Sequence, residues 1–272
     1  MIQDVDQHGD TAVLKSAQTV LTVLKAFDRL PYETSLSEVV QVVNLPKMKV
    51  HRALHTLVST GFLHQNSKSK KFRLHYSVLA LARKFQNEQS VRLVSHDILQ
   101  DLALEIGEDI TVAVLDDSHK EVIFVDRLYG ESRISFYCDV GRRLPLHVGA
   151  AAKAILAYLP ENEFETYLKD FSPVELTPYT IKSASQIRME RNTIRQKGYS
   201  ISNQEVDEGV SALAACILDR TGYPSAGVAI ASLHVKMTDQ RVKELGERLR
   251  KAVSEISSYC GYGVVKDASF KN

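Results

Sequence analysis

Apolar positions recur along this chain in two rhythms, and the change of rhythm marks out its parts. From about Ser16 to Asp28, Ala17, Val20, Leu21, Leu24 and Phe27 fall at helical spacing, with Ser16 as the expected cap. Ser35-Leu36-Ser37-Glu38 is a Ser-x-x-Glu capping box that opens a second helix through Val39, Val40, Val42 and Val43. Asn44 tolerates the left-handed conformation that closes a helix, and Pro46 suits the start of the next. In that third helix Val50, Ala53, Leu54 and Leu57 share an inward face. Lys47, Lys49, Arg52 and His55 fall largely on the other, with Met48 and Thr56 among them. After Gly61 the period shortens to two. Phe62–Gln65 and Lys70–Tyr76 read as strands around a turn at Asn66–Ser69, with Phe72, Leu74 and Tyr76 on one face and Lys71, Arg73 and His75 on the other. Three helices and a basic-tipped hairpin make a winged helix-turn-helix over residues 11–76.

Val78 to Gln89 reads as a linker helix, so residues 77–90 join this domain to a second one over 91–265. The second domain is α+β. Val91 to Ile106 forms a helix with Val91, Val94, Ile98, Leu102 and Ile106 inward and Gly107 as its stop. Thr111–Leu115, Val122–Val125 and Ile134–Cys138 read as strands, Asp139–His147 as a loop, and Gly149–Leu159 as a helix closed by Pro160. Residues 161–198 read as helix with a Pro-containing loop. Strands follow at Tyr199–Asn203, Ser211–Leu218 and Ala226–Leu233. A last helix starts near Thr238, with Val242, Leu245, Leu249, Val253 and Ile256 inward.

Charge adds a function to this pattern. The 272 residues carry a net charge of only +1, yet Val39 to Asn87 holds nine Lys or Arg and no Asp or Glu. Residues 11–86 sum to +9 and the remainder to −8. A basic block coinciding with a helix-turn-helix suits a phosphate backbone, with the acidic remainder serving another task. The apolar runs are too short to span a bilayer, and Met1–Asp10 lacks the layout of a signal peptide. Cys138, Cys216 and Cys260 form no Cys-x-x-Cys pair, which fits a reducing cytoplasm without disulfides or a zinc finger.

In order and spacing, three stretches resemble the IclR family of bacterial transcriptional regulators, over roughly Val13 to Val265. They are the winged helix-turn-helix with Leu45-Pro46-Lys47 ahead of Val50-His51-Arg52; the run Gly141-Arg142-Arg143-Leu144-Pro145-Leu146-His147-Val148-Gly149-Ala150-Ala151-Ala152-Lys153-Ala154; and Gly198-Tyr199 followed by Gln204-Glu205, Gly209 and Ala214-Ala215. The resemblance implies a winged DNA-binding domain, a linker helix and a C-terminal effector-binding domain with a curved, GAF-like antiparallel sheet flanked by helices. It implies a homodimer or dimer of dimers on double-stranded operator DNA, with a small-molecule effector.

In such a fold the third helix enters the major groove, so Lys47, Met48, Lys49, His51 and Arg52 form the expected contact set, with Arg52 able to bond a guanine bidentately. Met48 stands where a small hydroxyl residue is commoner in the family, and it can meet a thymine methyl. Lys68, Lys70, Lys71 and Arg73 are the wing candidates, chiefly for phosphates. By resemblance, the effector positions fall on Arg133, Phe136, Leu144, Ala150, Ala151, Ser202, Val210 and Ala212, with the main-chain amides of Ala150 and Ala151 holding an anion. Ser202 replaces an acidic residue, Ala212 a cysteine and Ala152 a glycine that are usual in members binding small keto acids. The expected ligand is therefore an organic acid, aromatic ones included, rather than that class copied over. Glu205 and Asp207 are read as bracing a loop.

Other readings are open to the sequence. His147 with Cys138, or Ser202 with Glu205, would be fragments of an active site, but no Gly-x-Ser-x-Gly or Gly-rich phosphate loop accompanies them. The nine histidines are read as dispersed, without ligand spacing, so no metal or cofactor is expected. A winged-helix interaction module, or a small-molecule-binding protein without specific DNA binding, is the alternative. The acid-free basic stretch argues against it.

Overall fold

The computed structural model describes residues 14–88, 90–131 and 139–263, and the chain divides into two units, residues 1–88 and 89–272. In the first, α1 (Lys15–Ala26), α2 (Leu36–Val43) and α3 (Lys47–Ser59) precede a hairpin of β1 (Leu63–Gln65) and β2 (Phe72–Leu74), and α4 (Tyr76–Glu88) follows. The capping box forms as its spacing requires. The Ser35 amide donates to the Glu38 carboxylate at 2.6 Å, and the Glu38 amide donates to the Ser35 hydroxyl at 3.4 Å. The Ser35 amide, and after it the Ser35 side chain, hold the Glu38 carboxyl below its usual range. Asn44 closes α2 in the left-handed region (φ 49°, ψ 44°).

The first helix departs from expectation. Its cap is Leu14, without a side-chain bond, and Ser16 lies inside the first turn. Its inner face is Val20, Val23, Leu24 and Phe27, while Ala17 and Leu21 are exposed. Two adjoining stripes fit helical spacing here, and the one meeting Val50, Leu54 and Leu57 of α3 is buried. The strand β2 also stops early. Its pairing with β1 ends at Leu63↔Leu74, so Tyr76 opens α4 instead of joining Phe72 on a strand face, and its side chain is exposed.

The second unit holds α5 (Ser90–Ile106), β3 (Ile110–Leu115), β4 (Glu121–Leu128), β5 (Arg143–Pro145), α6 (Ala150–Tyr158), α7 (Glu161–Lys169), α8 (Ala184–Lys197), β6 (Ser200–Asn203), β7 (Val210–Leu218), β8 (Pro224–Leu233) and α9 (Asp239–Tyr259). The six strands form one antiparallel sheet in the order β5-β4-β3-β8-β7-β6. Register shifts at Val112/Ala113 and Ile217/Leu218 bend it. Along β7, Ala214, Cys216 and Leu218 face a core shared with α6, α7 and α8, whereas Leu213, Ala215 and Ile217 face a core shared with α5 and α9. Burial on both faces explains why β7 and β8 read as nearly unbroken apolar runs.

Three expectations need correction or fall elsewhere. The inward face of α5 is Leu99, Leu102, Ala103 and Ile106, with Val94 exposed and Ile98 only partly buried. The loop expected at Asp139–His147 contains β5, which pairs Leu144 with Val122 of β4. The strand expected at Ile134–Cys138 lies outside the described residues.

Helix α6 packs on the sheet so closely that a Cβ at Gly227 of β8 would lie 2.5 Å from the Ala151 carbonyl oxygen. The oxygen is backbone and a Cβ is fixed rigidly to its own backbone, so neither can swing away. Gly227→Ala is expected to destabilise the second unit by about 1–3 kcal/mol, measured as a lower urea midpoint with an unchanged denaturant slope.

Candidate functional site

In the first unit the outward face of α3 carries Lys47, Met48, Lys49, His51, Arg52 and His55, all exposed. Its inward residues Val50, Ala53, Leu54 and Leu57 are buried, so the helix is anchored on one side and presents a basic surface on the other. Lys49 and Arg52 border a groove of about 320 Å³ whose far wall is α1, where Lys15, Ser16 and Thr19 line it. Lys15 thus joins the basic surface from 34 residues upstream of Lys49, a neighbour that linear spacing did not supply. The wing tip is organised by Asn66, whose side-chain oxygen accepts from the Lys68 and Ser69 amides at 2.9 and 3.2 Å. Lys68 and Lys70 are exposed there, Lys70 in the left-handed region (φ 58°). Lys71 is partly buried. Arg73 lies back on Tyr32, with its guanidinium carbon 5.9 Å from the ring centroid.

In the second unit the N-terminus of α6 points into a cavity of about 70 Å³. Leu144, Ala150, Ala151, Ser202, Val210 and Ala212 line it together, joined by Phe124, Arg142 and Asp207. The first amides of a helix have no carbonyl partner within it, so Ala150 and Ala151 present donors and the positive end of the helix dipole. The helix is held rigidly. The Ser200 hydroxyl donates to the Ala150 carbonyl at 2.7 Å. The Lys153 ammonium, buried at 4% exposure, donates to Glu205 at 2.5 Å, to the Ile201 carbonyl at 2.6 Å and to Glu190 at 3.2 Å. Glu205 also accepts from the Gly149 amide at 3.2 Å, so it ties the loop it sits in to the start of α6. Burial pushes the Glu205 carboxyl above its usual range, with Lys153 pulling the other way. Gly149 adopts φ 83°, and a Cβ there would lie 2.9 Å from Val206. At the cavity mouth Arg142 meets Asp207 at 3.4 Å.

The fold and both surfaces now have a match. The model of the bacterial transcriptional regulator IclR C-terminal domain matches residues 84–258, and that of the IclR helix-turn-helix domain matches residues 16–67. The chain belongs to the IclR family of bacterial transcriptional regulators. It is therefore a DNA-binding regulator of transcription. It is 29% identical to the regulator KipR of Bacillus subtilis over 94% of this chain and 99% of that one. The crystal structure of the Thermotoga maritima IclR covers 91% of this chain and 99% of its own, at 28% identity and a TM-score of 0.74. An IclR homologue from Microbacterium hydrocarbonoxydans, crystallised with 4-hydroxybenzoate, shares the fold at a TM-score of 0.75 and 22% identity, over 90% of this chain and 99% of its own.

Of the residues proposed for this IclR-family regulator's effector, Arg133 and Phe136 lie outside the described residues, and the other six share the cavity. Arg142 was missed as a pocket residue, although it stands in the Gly141–Leu144 run that carries the resemblance. Of the active-site fragments, His147, Ser202 and Glu205 lie among the described residues. Cys138 is outside the described residues. His147 is buried, accepts from the Val174 amide at 3.2 Å and meets the Tyr167 hydroxyl at 2.8 Å, and burial lowers its pKa, favouring the neutral ring. Glu205 is committed to Lys153 and Gly149 rather than to Ser202. The histidines are not all dispersed: His51 and His55 stand four residues apart on α3 with Nε2 atoms 3.2 Å from each other. No helix among the described residues is long and apolar enough to cross a membrane.

Proposed function

We propose that this regulator reads a two-half-site operator with Lys47, Met48, Lys49, His51 and Arg52. Lys68, Lys70, Lys71 and Arg73 supply wing contacts, and a small organic acid bound at the α6 N-terminus alters operator affinity. The observation that carries the reading is the convergence of Ala150, Ala151, Ser202 and Arg142 on one apolar-walled cavity, which is the donor set a carboxylate needs. The 4-hydroxybenzoate bound by the Microbacterium homologue makes an aromatic carboxylate the first ligand class to test. Arg142 exchanges Asp207 for the ligand carboxylate in this scheme, which couples binding to the loop carrying Asp207. Residues 11–76 serve DNA, 77–90 link, and 91–265 sense the effector. A cytoplasmic homodimer or dimer of dimers holds two recognition helices at a spacing that the effector shifts. No catalytic step is assigned.

The test is a titration of aromatic carboxylates against the wild type and Arg142→Gln. The variant is expected to bind the responding acid about 10- to 100-fold more weakly, the worth of one hydrogen bond to a charged group, while its operator affinity without effector stays unchanged. Equal acid affinity in the two proteins would remove Arg142 from the site.

A further inference from the structure

We infer that His51 and His55 form a chelating site for one divalent transition cation of the zinc or nickel class, and that its occupancy competes with operator binding. The pair lies one helical turn apart on the exposed face of α3. Its Nε2 atoms are 3.2 Å from each other, and the rings meet edge-on with centroids 4.4 Å apart and planes at 62°. Two zinc–imidazole bonds of about 2.0–2.1 Å at a tetrahedral angle place their nitrogens about 3.3 Å apart. The 3.2 Å separation of the two nitrogens therefore already matches the spacing that two imidazole ligands of one ion require. Two histidines at this helical spacing on one face are the arrangement by which helices supply paired imidazole ligands.

A second histidine pair shows what the geometry requires. His64 and His75 are also close, with centroids 5.9 Å apart, but their planes lie at 21°. Stacked rings keep their nitrogen lone pairs in near-parallel planes, so that pair does not converge on an ion. At His51 and His55 ion binding replaces the contact between the two Nε2 atoms and requires a change of tautomer. The ring that donates through its Nε2–H moves that proton to Nδ1, and both Nε2 lone pairs then face the cation with no net loss of a proton. Among the described residues no third His, Cys, Asp or Glu joins a metal-binding group. Water fills the remaining positions, and an open site of this kind exchanges its ion readily where a closed four-ligand site does not. Imidazole donors favour zinc, nickel and copper over magnesium or calcium.

The site's position gives it a consequence. An ion held there takes His51 out of the operator contact set and places its bound water on the groove-facing side of α3. Direct titration of Zn²⁺ and of Ni²⁺ into the DNA-free wild-type protein, His55→Gln and His75→Gln tests the site. His55 lies outside the proposed contact set, and its exposure makes the substitution harmless to the fold. The wild type and His75→Gln are expected to bind with equal affinity, and His55→Gln at least about tenfold more weakly, having one imidazole left. Unchanged affinity and stoichiometry in His55→Gln, or no uptake by the wild type, would overturn the site. Operator binding with saturating Zn²⁺ against chelator is the second arm. The wild type should weaken severalfold with the ion, and His55→Gln should not respond. This arm rests on α3 being the operator surface, whereas the ion titration does not. Equal or tighter operator binding in zinc would overturn the competition while leaving the site standing.

Discussion

Lys153→Met is expected to destabilise the second unit by about 3–5 kcal/mol, the typical loss when one partner of a buried ion pair is removed. The side chains of Lys153 and Glu205 are only 4% and 8% exposed, and their charged atoms are 2.5 Å apart. Methionine fills much of the same volume, so the loss is electrostatic rather than a cavity. Glu205 is left as a buried carboxylate, its remaining support the Gly149 amide. The pH dependence identifies the cause. Burial already raises the Glu205 carboxyl above its ordinary range, and removing Lys153 takes away the chief opposing pull. A carboxyl whose folded-state pKa is raised contributes stability that is fully present below its unfolded value, near 4.3, and is lost as pH rises through the folded value. The variant's deficit relative to wild type should therefore be small in acid and widen on going toward neutrality. Urea unfolding of the second unit across pH measures it. A deficit independent of pH would place the cause in packing. Operator affinity without effector should change only through the folded fraction.

Arg52→Ala is expected to weaken operator binding by about 1–3 kcal/mol, roughly 5- to 150-fold, and to relax the preference at one base pair in each half-site. The reasoning is geometric. Arg52 is exposed on the face of α3 away from the buried Val50, Ala53, Leu54 and Leu57, so its guanidinium is presented on the side opposite the anchor. It lines a groove with Lys49 and Lys15 that concentrates positive charge. Lys68→Ala at the wing tip should behave differently, lowering affinity for all sequences alike and reducing the salt slope by about 0.9 for each phosphate no longer neutralised. Binding curves against operator duplexes with single base-pair changes separate the two. If Arg52→Ala lowers affinity for every duplex equally, Arg52 is a phosphate contact and base reading belongs to its neighbours.

What the sequence made legible was chiefly what local chemistry decides. The capping box at Ser35, the left-handed Asn44 and the stop at Gly107 each rest on a residue's own backbone preference, and the structure has all three, whereas Ser16 does not cap α1. β7 was legible as a nearly unbroken apolar run because each of its faces meets a different core. Choices that depend on distant partners were not. Val23 and Leu99 belong to inward faces that linear spacing cannot tell from their neighbours, since α3 and the sheet select the face. β5 has only three residues, too few to show a period. Six residues expected by resemblance line one cavity, while Arg142 joins them through a loop that closes on Asp207. The partnership of Lys153 with Glu205 spans 52 positions and has no local signature. The pairing of His51 with His55, four residues apart on one helix, is by contrast carried by local spacing, and the histidines are to that extent not dispersed.

The most direct test of the regulator as proposed is the affinity of the full chain for an operator selected from random duplexes, measured with and without 4-hydroxybenzoate and related aromatic acids. The selected sequence should contain two half-sites and be bound less tightly as salt rises. One acid should shift the curve for the wild type and leave that of Arg142→Gln in place. A selected operator whose binding no carboxylate shifts, or one whose shift survives unchanged in Arg142→Gln, would contradict the assignment of the α6 cavity as the sensing site.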